Sequence, residues 1–211
     1  MNALDEYESK SNPFSTRFTR PGQVEYRFPA GQSFQQFMEV LEEHGWRGQI
    51  IGPHGSGKST LLACLQPFLE AAGRTTWSVC LRDRQRSLPG SWVQDMGGAR
   101  ANLLIIDGYE QLSLWQRLLV RWQCSRHGWG FLVTAHADVG LPTILTTKAD
   151  LETARDVVAQ LTAGLPARIP DAVVAEHFHA ARGNLRETLF RLYDAWECGG
   201  SSPVVPHDCK D

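Results

Sequence analysis

Along this chain, short runs of consecutive apolar residues alternate with longer stretches in which apolar residues return every three or four positions. Residues 49–51 (QII), 75–81 (TTWSVCL), 102–107 (NLLIID), 129–133 (WGFLV) and 142–147 (PTILTT) are of the first kind and predict β-strands. Residues 34–44, with Phe34, Phe37, Met38 and Leu41 on one face and Ser33 as cap, predict a helix closed by Gly45. Leu61, Leu62, Leu65, Phe68 and Leu69 predict a second over 59–71. A third, marked by Leu112, Trp115, Leu118, Leu119 and Trp122, runs to about Arg126 before His127-Gly128, and both of its tryptophans are expected in the core.

Strand and helix in alternation predict an α/β fold around a parallel sheet with right-handed crossovers. After this the pattern turns to helices alone, at 150–161, 171–181 and 184–196. The organisation expected is an extended N-terminal segment plus a helix packing on the core (1–45), a three-layer core with a parallel sheet (46–150), a small C-terminal helical lid (151–198) and a flexible tail (199–211). Residues 1–33 have no period. There Pro13, Pro21, Gly22, Pro29 and Gly31 interleave with Phe14, Phe18, Tyr26 and Phe28, as in a segment wrapped across a domain with its rings serving as buried area.

Between the first strand and the second helix lies Gly52-Pro53-His54-Gly55-Ser56-Gly57-Lys58-Ser59, which fits G-x-x-x-x-G-K-[ST], the phosphate-binding loop of P-loop NTPases. Gly55 and Gly57 allow positive φ, so that successive N–H groups can face one anion-sized hollow. Lys58 would bring a point charge to the β and γ phosphates, Ser59 a hydroxyl to Mg²⁺, and the helix its positive end. The nucleotide-binding set read from the loop is Gly52, Pro53, His54, Gly55, Ser56, Gly57, Lys58, Ser59 and Thr60. Residues 102–107 end in Asp107, as a strand buried on both faces does when its carboxylate emerges at the carboxyl edge, and this is the Walker B pattern. Asp107 would orient Mg²⁺ together with Ser59.

Composition narrows the remaining choices. At 211 residues the chain suits one core with a small appended subdomain. With 21 basic and 23 acidic residues it has no overall bias toward nucleic acid or membrane. Its five scattered cysteines contain no C-x-x-C, which suggests neither a disulfide framework nor a zinc site. The polar N-terminus and the absence of a long apolar run lead to the expectation of a soluble, cytoplasmic protein. The densest basic run, Arg82, Arg84 and Arg86, reads as a solvated loop or as a contact for a substrate or partner.

A P-loop, a Walker B strand, a polar Thr134 ending the next strand and a helical tail carrying Gly183-Asn184-Leu185-Arg186-Glu187 resemble the AAA-plus ATPases over about residues 46–198. The resemblance implies that Arg186 is a sensor 2 arginine reaching the γ phosphate and that Thr134 holds the sensor 1 place. Each has a plainer alternative, a surface helix residue for Arg186 and a strand-end cap for Thr134. It also implies an adenine pocket between the segment preceding the first strand and the lid, which would give residues 12–18 a role besides wrapping. Two departures stand out. Gly108 occupies the position of the catalytic glutamate, leaving Glu110 as the nearest carboxylate, and the stretch from His136 to Pro142 has no room for the helix that carries a trans-acting arginine finger. Arg121 or Arg126 are the substitutes at hand.

The function expected is a MgATP-binding ATPase with slow or partner-activated hydrolysis coupled to lid movement, its catalytic candidates being Lys58, Glu110, Thr134 and Arg186. The alternatives are a small-molecule kinase, with Arg82, Arg84 and Arg86 as phosphate clamp, and a non-hydrolysing nucleotide switch. A homo-oligomer or a protein client is left open as partner, and nothing in the sequence indicates nucleic acid.

Overall fold

The structure, a computed structural model, describes residues 12–29, 31–82, 85–165 and 169–199. Residues 1–11 of the expected N-terminal segment, Arg84 of the basic run and the expected tail from residue 200 lie outside the described residues. In chain order the elements are α1 (Thr16–Thr19), α2 (Phe34–Glu43), β1 (Arg47–Ile51), α3 (Lys58–Ala71), β2 (Thr76–Cys80), α4 (Trp92–Gly98), β3 (Leu103–Asp107), a 3₁₀ turn (Tyr109–Gln111), α5 (Leu114–His127), β4 (Gly130–Ala135), β5 (Thr143–Thr146), α6 (Leu151–Leu161), α7 (Asp171–Ala180) and α8 (Leu185–Gly199). They fall into two units: a sheet unit of residues 28–53 and 61–147, and a helical unit holding residues 12–27, 54–60 and the described chain from 148 onward.

In the sheet unit five strands lie in the order β2-β3-β4-β1-β5, and every pair is parallel. Both faces of the sheet are covered, which is why its inner strands read as unbroken apolar runs. Leu104 and Ile106 of β3 and Phe131 and Val133 of β4 pack with Trp92 and Met96 of α4 and with Val120 and Cys124 of α5. Their neighbours of opposite parity, Leu103, Ile105 and Leu132, are buried as well. Burial pushes the Cys124 thiol up to about 12, so it behaves as a small apolar core residue.

Pairing of Ile51 with Ala135 and of Ile106 with Val133 levels the carboxyl ends of β1, β3 and β4. Gly52, Asp107 and Thr134-Ala135-His136 therefore arrive at one edge of the sheet, where α/β proteins hold their ligands. Behind that edge the fully buried Gln49 organises the β4–β5 turn. Its Nε2 lies 2.7 Å from Asp138 Oδ1 and Leu141 O and 2.9 Å from Thr143 Oγ1, while its Oε1 accepts from Val139 N. Such a buried amide is tolerated because each of its polar atoms finds a partner. The same turn receives Arg121, whose Nη2 donates to Val139 O at 2.6 Å, so this guanidinium is a strut of the fold.

α5 departs from expectation in the face it buries. Val120 and Cys124 turn inward, whereas Trp115 is 81% and Trp122 54% exposed, together with Leu114, Leu118 and Leu119. The expectation of core tryptophans is thus wrong. A period of 3.6 finds a stripe without saying which side of the helix meets the sheet, and here Val120 and Cys124 mark the buried side, flanked by the half-buried Arg117 and Arg121, which donate to backbone carbonyls. α4 was not anticipated either, because its two glycines and seven-residue length give a weak helical signal; Trp92 and Met96 hold it by burial.

In the helical unit, α6, α7 and α8 close over Val157, Val158, Val174, Phe178, Leu189 and Leu192. Phe14 joins this core and meets Trp196 edge to face at 6.3 Å, and Asn12 Nδ2 donates to Tyr193 O and Glu197 Oε1. Residues 12–14 therefore serve as wrapping. Asp150 caps α6 through Thr153 N, and Asn184 caps α8 through Glu187 N. Among the described residues no helix is long and apolar enough to cross a membrane.

Candidate nucleotide-binding site

The loop that joins β1 to α3 takes the backbone form its glycines permit. Gly55 has φ 72° and Gly57 φ 89°, values that cost an L side chain about 1 kcal/mol or more. Within the helical unit both glycines are also approached closely. A Cβ on Gly55 would run into the Asn184 side chain and come within 3.2 Å of Arg186 N, and one on Gly57 would lie 3.2 Å from the Tyr26 ring. Ser56 and Lys58 are buried, Ser59 and Thr60 half-buried, and His54 is exposed. Beside the loop is a small cavity of about 60 Å³ bordered by Tyr26, Ser56, Gly57, Thr60, Lys148 and Leu185. Burial raises the Tyr26 hydroxyl to about 12, so it stays neutral and the ring presents an apolar wall.

Arg186 lies at the start of α8, with its backbone N against Gly55 and its exposed guanidinium 5.9 Å from the Phe190 ring. Asn184, Tyr26 and Lys148 escaped the sequence reading as loop neighbours. The first had a usable signal, since an Asn two residues before an Arg at a helix start is a natural cap; the other two had none, being brought to the loop only by the tertiary fold.

The sheet unit carries a second cluster. Thr134 Oγ1 donates to Asp107 Oδ1 at 2.5 Å and accepts from Gly108 N at 3.0 Å, and the Thr134 side chain is almost wholly buried. Gly108 follows at φ 89°, where a Cβ would meet Leu81 O at 2.8 Å. This explains the glycine at the position where the AAA-plus pattern has a glutamate: the chain turns there in a conformation closed to a side chain. The 3₁₀ turn then brings Glu110 back to β4, where its Oε1 is 3.1 Å from His136 Nε2. His136 Nδ1 lies 3.1 Å from Gly52 O, so one imidazole spans Glu110 and the first residue of the loop. Glu110 Oε2 is buried and has no hydrogen-bond partner among the described residues, and Arg117 Nη2 donates to the Glu110 carbonyl at 2.8 Å.

Magnesium is bound through one or two carboxylates, hydroxyls, waters and substrate phosphates, not through a protein cage. Asp107 in the sheet unit and Ser59 in the helical unit are each hard oxygen donors of that kind, and no group of three His, Cys, Asp or Glu suited to a metal occurs among the described residues. Arg126, the other substitute for an arginine finger, is exposed with its guanidinium 5.5 Å from the Trp122 ring.

The parallel order β2-β3-β4-β1-β5, flanked by helices and with a glycine-rich loop leaving β1, is an α/β fold of the P-loop NTPase kind. No protein-family model matches the chain, and no curated protein does. Solved structures carry the likeness instead. The replication initiator DnaA of Aquifex aeolicus, bound to AMPPCP, aligns with TM-score 0.54 and 13% identity over 82% of this chain and 65% of its own. A replication initiator DnaA bound to AMPPCP and single-stranded DNA aligns with TM-score 0.52 and 15% identity over 79% of this chain and 61% of its own. The Walker-type ATPase paby2304 of Pyrococcus abyssi aligns with TM-score 0.58 and 11% identity over 90% and 73%. The chain thus spans less than two thirds of these two initiators, and at such identities the likeness carries the fold alone.

Proposed function

We propose that this protein binds MgATP at residues 52–60 and is an AAA-plus-like ATPase whose hydrolysis is slow or partner-activated. The observation that carries this reading is the loop itself, with positive φ at Gly55 and Gly57 and a buried Lys58 at the head of α3. Backbone N–H groups would cradle the phosphates, and Lys58 and the helix end would supply positive charge. Ser59 and Asp107 are the proposed magnesium residues, and the ion would neutralise charge on the β and γ phosphates. Tyr26, Leu185 and the cavity beside Gly57 are the proposed base-binding surface, supported by the apolar character of that wall.

Glu110 is the proposed general base. It sits three residues beyond the usual place, and its orphaned Oε2 is the atom able to accept a proton from water. Thr134 is proposed to hold the Asp107 carboxylate, and Arg186 to reach the γ phosphate by leaving Phe190. Coupling of nucleotide state to α6–α8 is supported by the membership of residues 54–60 in the helical unit and by the Gly55–Asn184 approach. A second reading, a switch that binds ATP without hydrolysing it, is favoured by Gly108, which has no side chain to polarise water.

The test is MgATP binding by wild type and Lys58→Ala, with phosphate release measured beside it. At least a tenfold loss of affinity is expected in the variant, and unchanged affinity would remove the site assignment. Turnover lost in Glu110→Gln supports the base; binding with no turnover in either protein supports the switch.

A further inference from the structure

The apolar side chains that α5 leaves outside are arranged, not scattered. Leu114, Trp115, Leu118, Leu119 and Trp122 recur at intervals that keep them on one stripe of the helix, and all five are exposed. A continuous apolar stripe with two tryptophans is not ordinary solvent-facing surface. At its amino-terminal end is an open groove of about 560 Å³ lined by Arg86, Glu110, Leu112, Leu114, Trp115 and Arg117. α5 contains Arg117, Arg121, Arg126 and His127 and no acid.

Charge and shape together select the occupant. A second copy docking through the same face would set these cations against themselves, an unfavourable juxtaposition. A nucleic acid strand could stack on the tryptophans. However, Leu114, Leu118 and Leu119 offer no stacking surface for bases. A helix with apolar residues at i, i+3, i+4 and i+7 and carboxylates beside them matches both the stripe and the two cations that line the groove, Arg86 and Arg117.

We propose that the exposed stripe of α5 and the adjoining groove dock an acidic amphipathic helix of a partner protein, and that its carboxylate displaces Arg117 from the Glu110 turn. Arg117 holds that turn through Nη2 to Glu110 O at 2.8 Å and Nε to Leu112 O at 3.0 Å. A partner carboxylate between Arg86 and Arg117 competes for those N–H groups and so reaches the carboxylate that His136 contacts at 3.1 Å. The docking itself rests on no assumption about ATP; the meaning of its effect on Glu110 rests on the proposed hydrolysis.

The probe is a 16-residue synthetic peptide with Leu at one helical stripe, Glu elsewhere and no Trp, titrated into the full chain without nucleotide. Its Lys-for-Glu counterpart and oligo(dT) serve as comparators. The expected result is a saturable change in tryptophan emission with the acidic peptide alone, weakened by salt and at least tenfold by Leu118→Glu, a change on the surface that leaves the core intact. The His136 imidazole signals in a ¹H–¹³C spectrum should shift with the same saturation. An equal response to both peptides, or none, overturns the docking surface. Saturable oligo(dT) binding lost in Leu118→Glu would make the face a nucleic-acid surface, and self-association lost in that variant would make it a self-interface. Peptide binding with unmoved His136 signals overturns the link to Glu110. MgATP affinity measured with Lys58→Ala stands apart from all of these, so failure here and failure of the nucleotide reading are distinguishable.

Discussion

Replacing Thr134 by Val keeps the volume of the side chain and removes a hydroxyl that bridges two groups. The hydroxyl gives a charge-assisted hydrogen bond to Asp107 Oδ1 and satisfies Gly108 N. A bond to a charged group contributes about 1.5–3 kcal/mol, and an orphaned N–H costs about 1–3 kcal/mol when water is excluded. Gly108 is only half-buried, so water meets part of that second cost, and the sum expected for Thr134→Val is about 3 kcal/mol. For a chain of this size that corresponds to a Tm lower by roughly 6–12 °C. Thr134→Ser, which keeps the oxygen and loses a methyl group, should cost about 1 kcal/mol. Asp107→Asn retains an acceptor without the charge and should fall between the two. The assay is urea denaturation followed by tryptophan emission, with Thr134→Val and Asp107→Asn combined in a double-mutant cycle and a coupling of about 1–2 kcal/mol expected. A Thr134→Val loss within about 0.5 kcal/mol of Thr134→Ser would refute the bridge as described.

Gly55→Ala combines a positive φ with a collision at Asn184, so a loss of about 2 kcal/mol and of nucleotide affinity is expected; Asn184→Gly should relieve the collision alone, measured by calorimetry on the double variant. Installing the missing glutamate as Gly108→Glu should lower the melting temperature without raising phosphate release, because φ 89° and Leu81 O exclude the side chain. Asp150, held below its ordinary value of 3.8 chiefly by the Thr153 N–H, contributes stability that is complete above that value and lost as pH falls through the lower folded one. Thermal scans should therefore show Asp150→Ala about 1 kcal/mol less stable at pH 7, with the gap closing in strong acid. The His177 imidazole is held below its ordinary value by burial, so the folded form resists its protonation and stability drains away as pH drops below 6.5; His177→Gln should flatten that fall in a pH series of melting curves.

The α/β class was legible because buried parallel strands leave a signal that needs no partner to read. The sequence 102–107 is apolar on both faces and ends in an acid, and the observed β3 follows it to within a residue. Glycines 55 and 57 declared their backbone in the same local way. What stayed hidden depends on long-range contact. Nothing near Tyr26 announces that its ring covers Gly57, and nothing near His136 announces Glu110 across the sheet edge. α5 shows the limit most clearly: its two apolar stripes have one period, and which of them faces outward depends on tertiary contacts, the packing of Val120 and Cys124 on the sheet and the bonds of Arg117 and Arg121 to backbone carbonyls.

The approach of Asn184 to Gly55 also orders events during synthesis. The helical unit is assembled from three separated stretches of chain, and Asn184, which crowds the loop, caps α8, made after all five strands. Strands β1 to β5 and their local crossovers can pair while α8 is still unmade, whereas the loop gains its Asn184 neighbour only after a long closure with its own entropic cost. A nascent chain would thus hold a finished sheet before it holds a finished loop, and the anion binding proposed for that loop would arrive only after the sheet has formed.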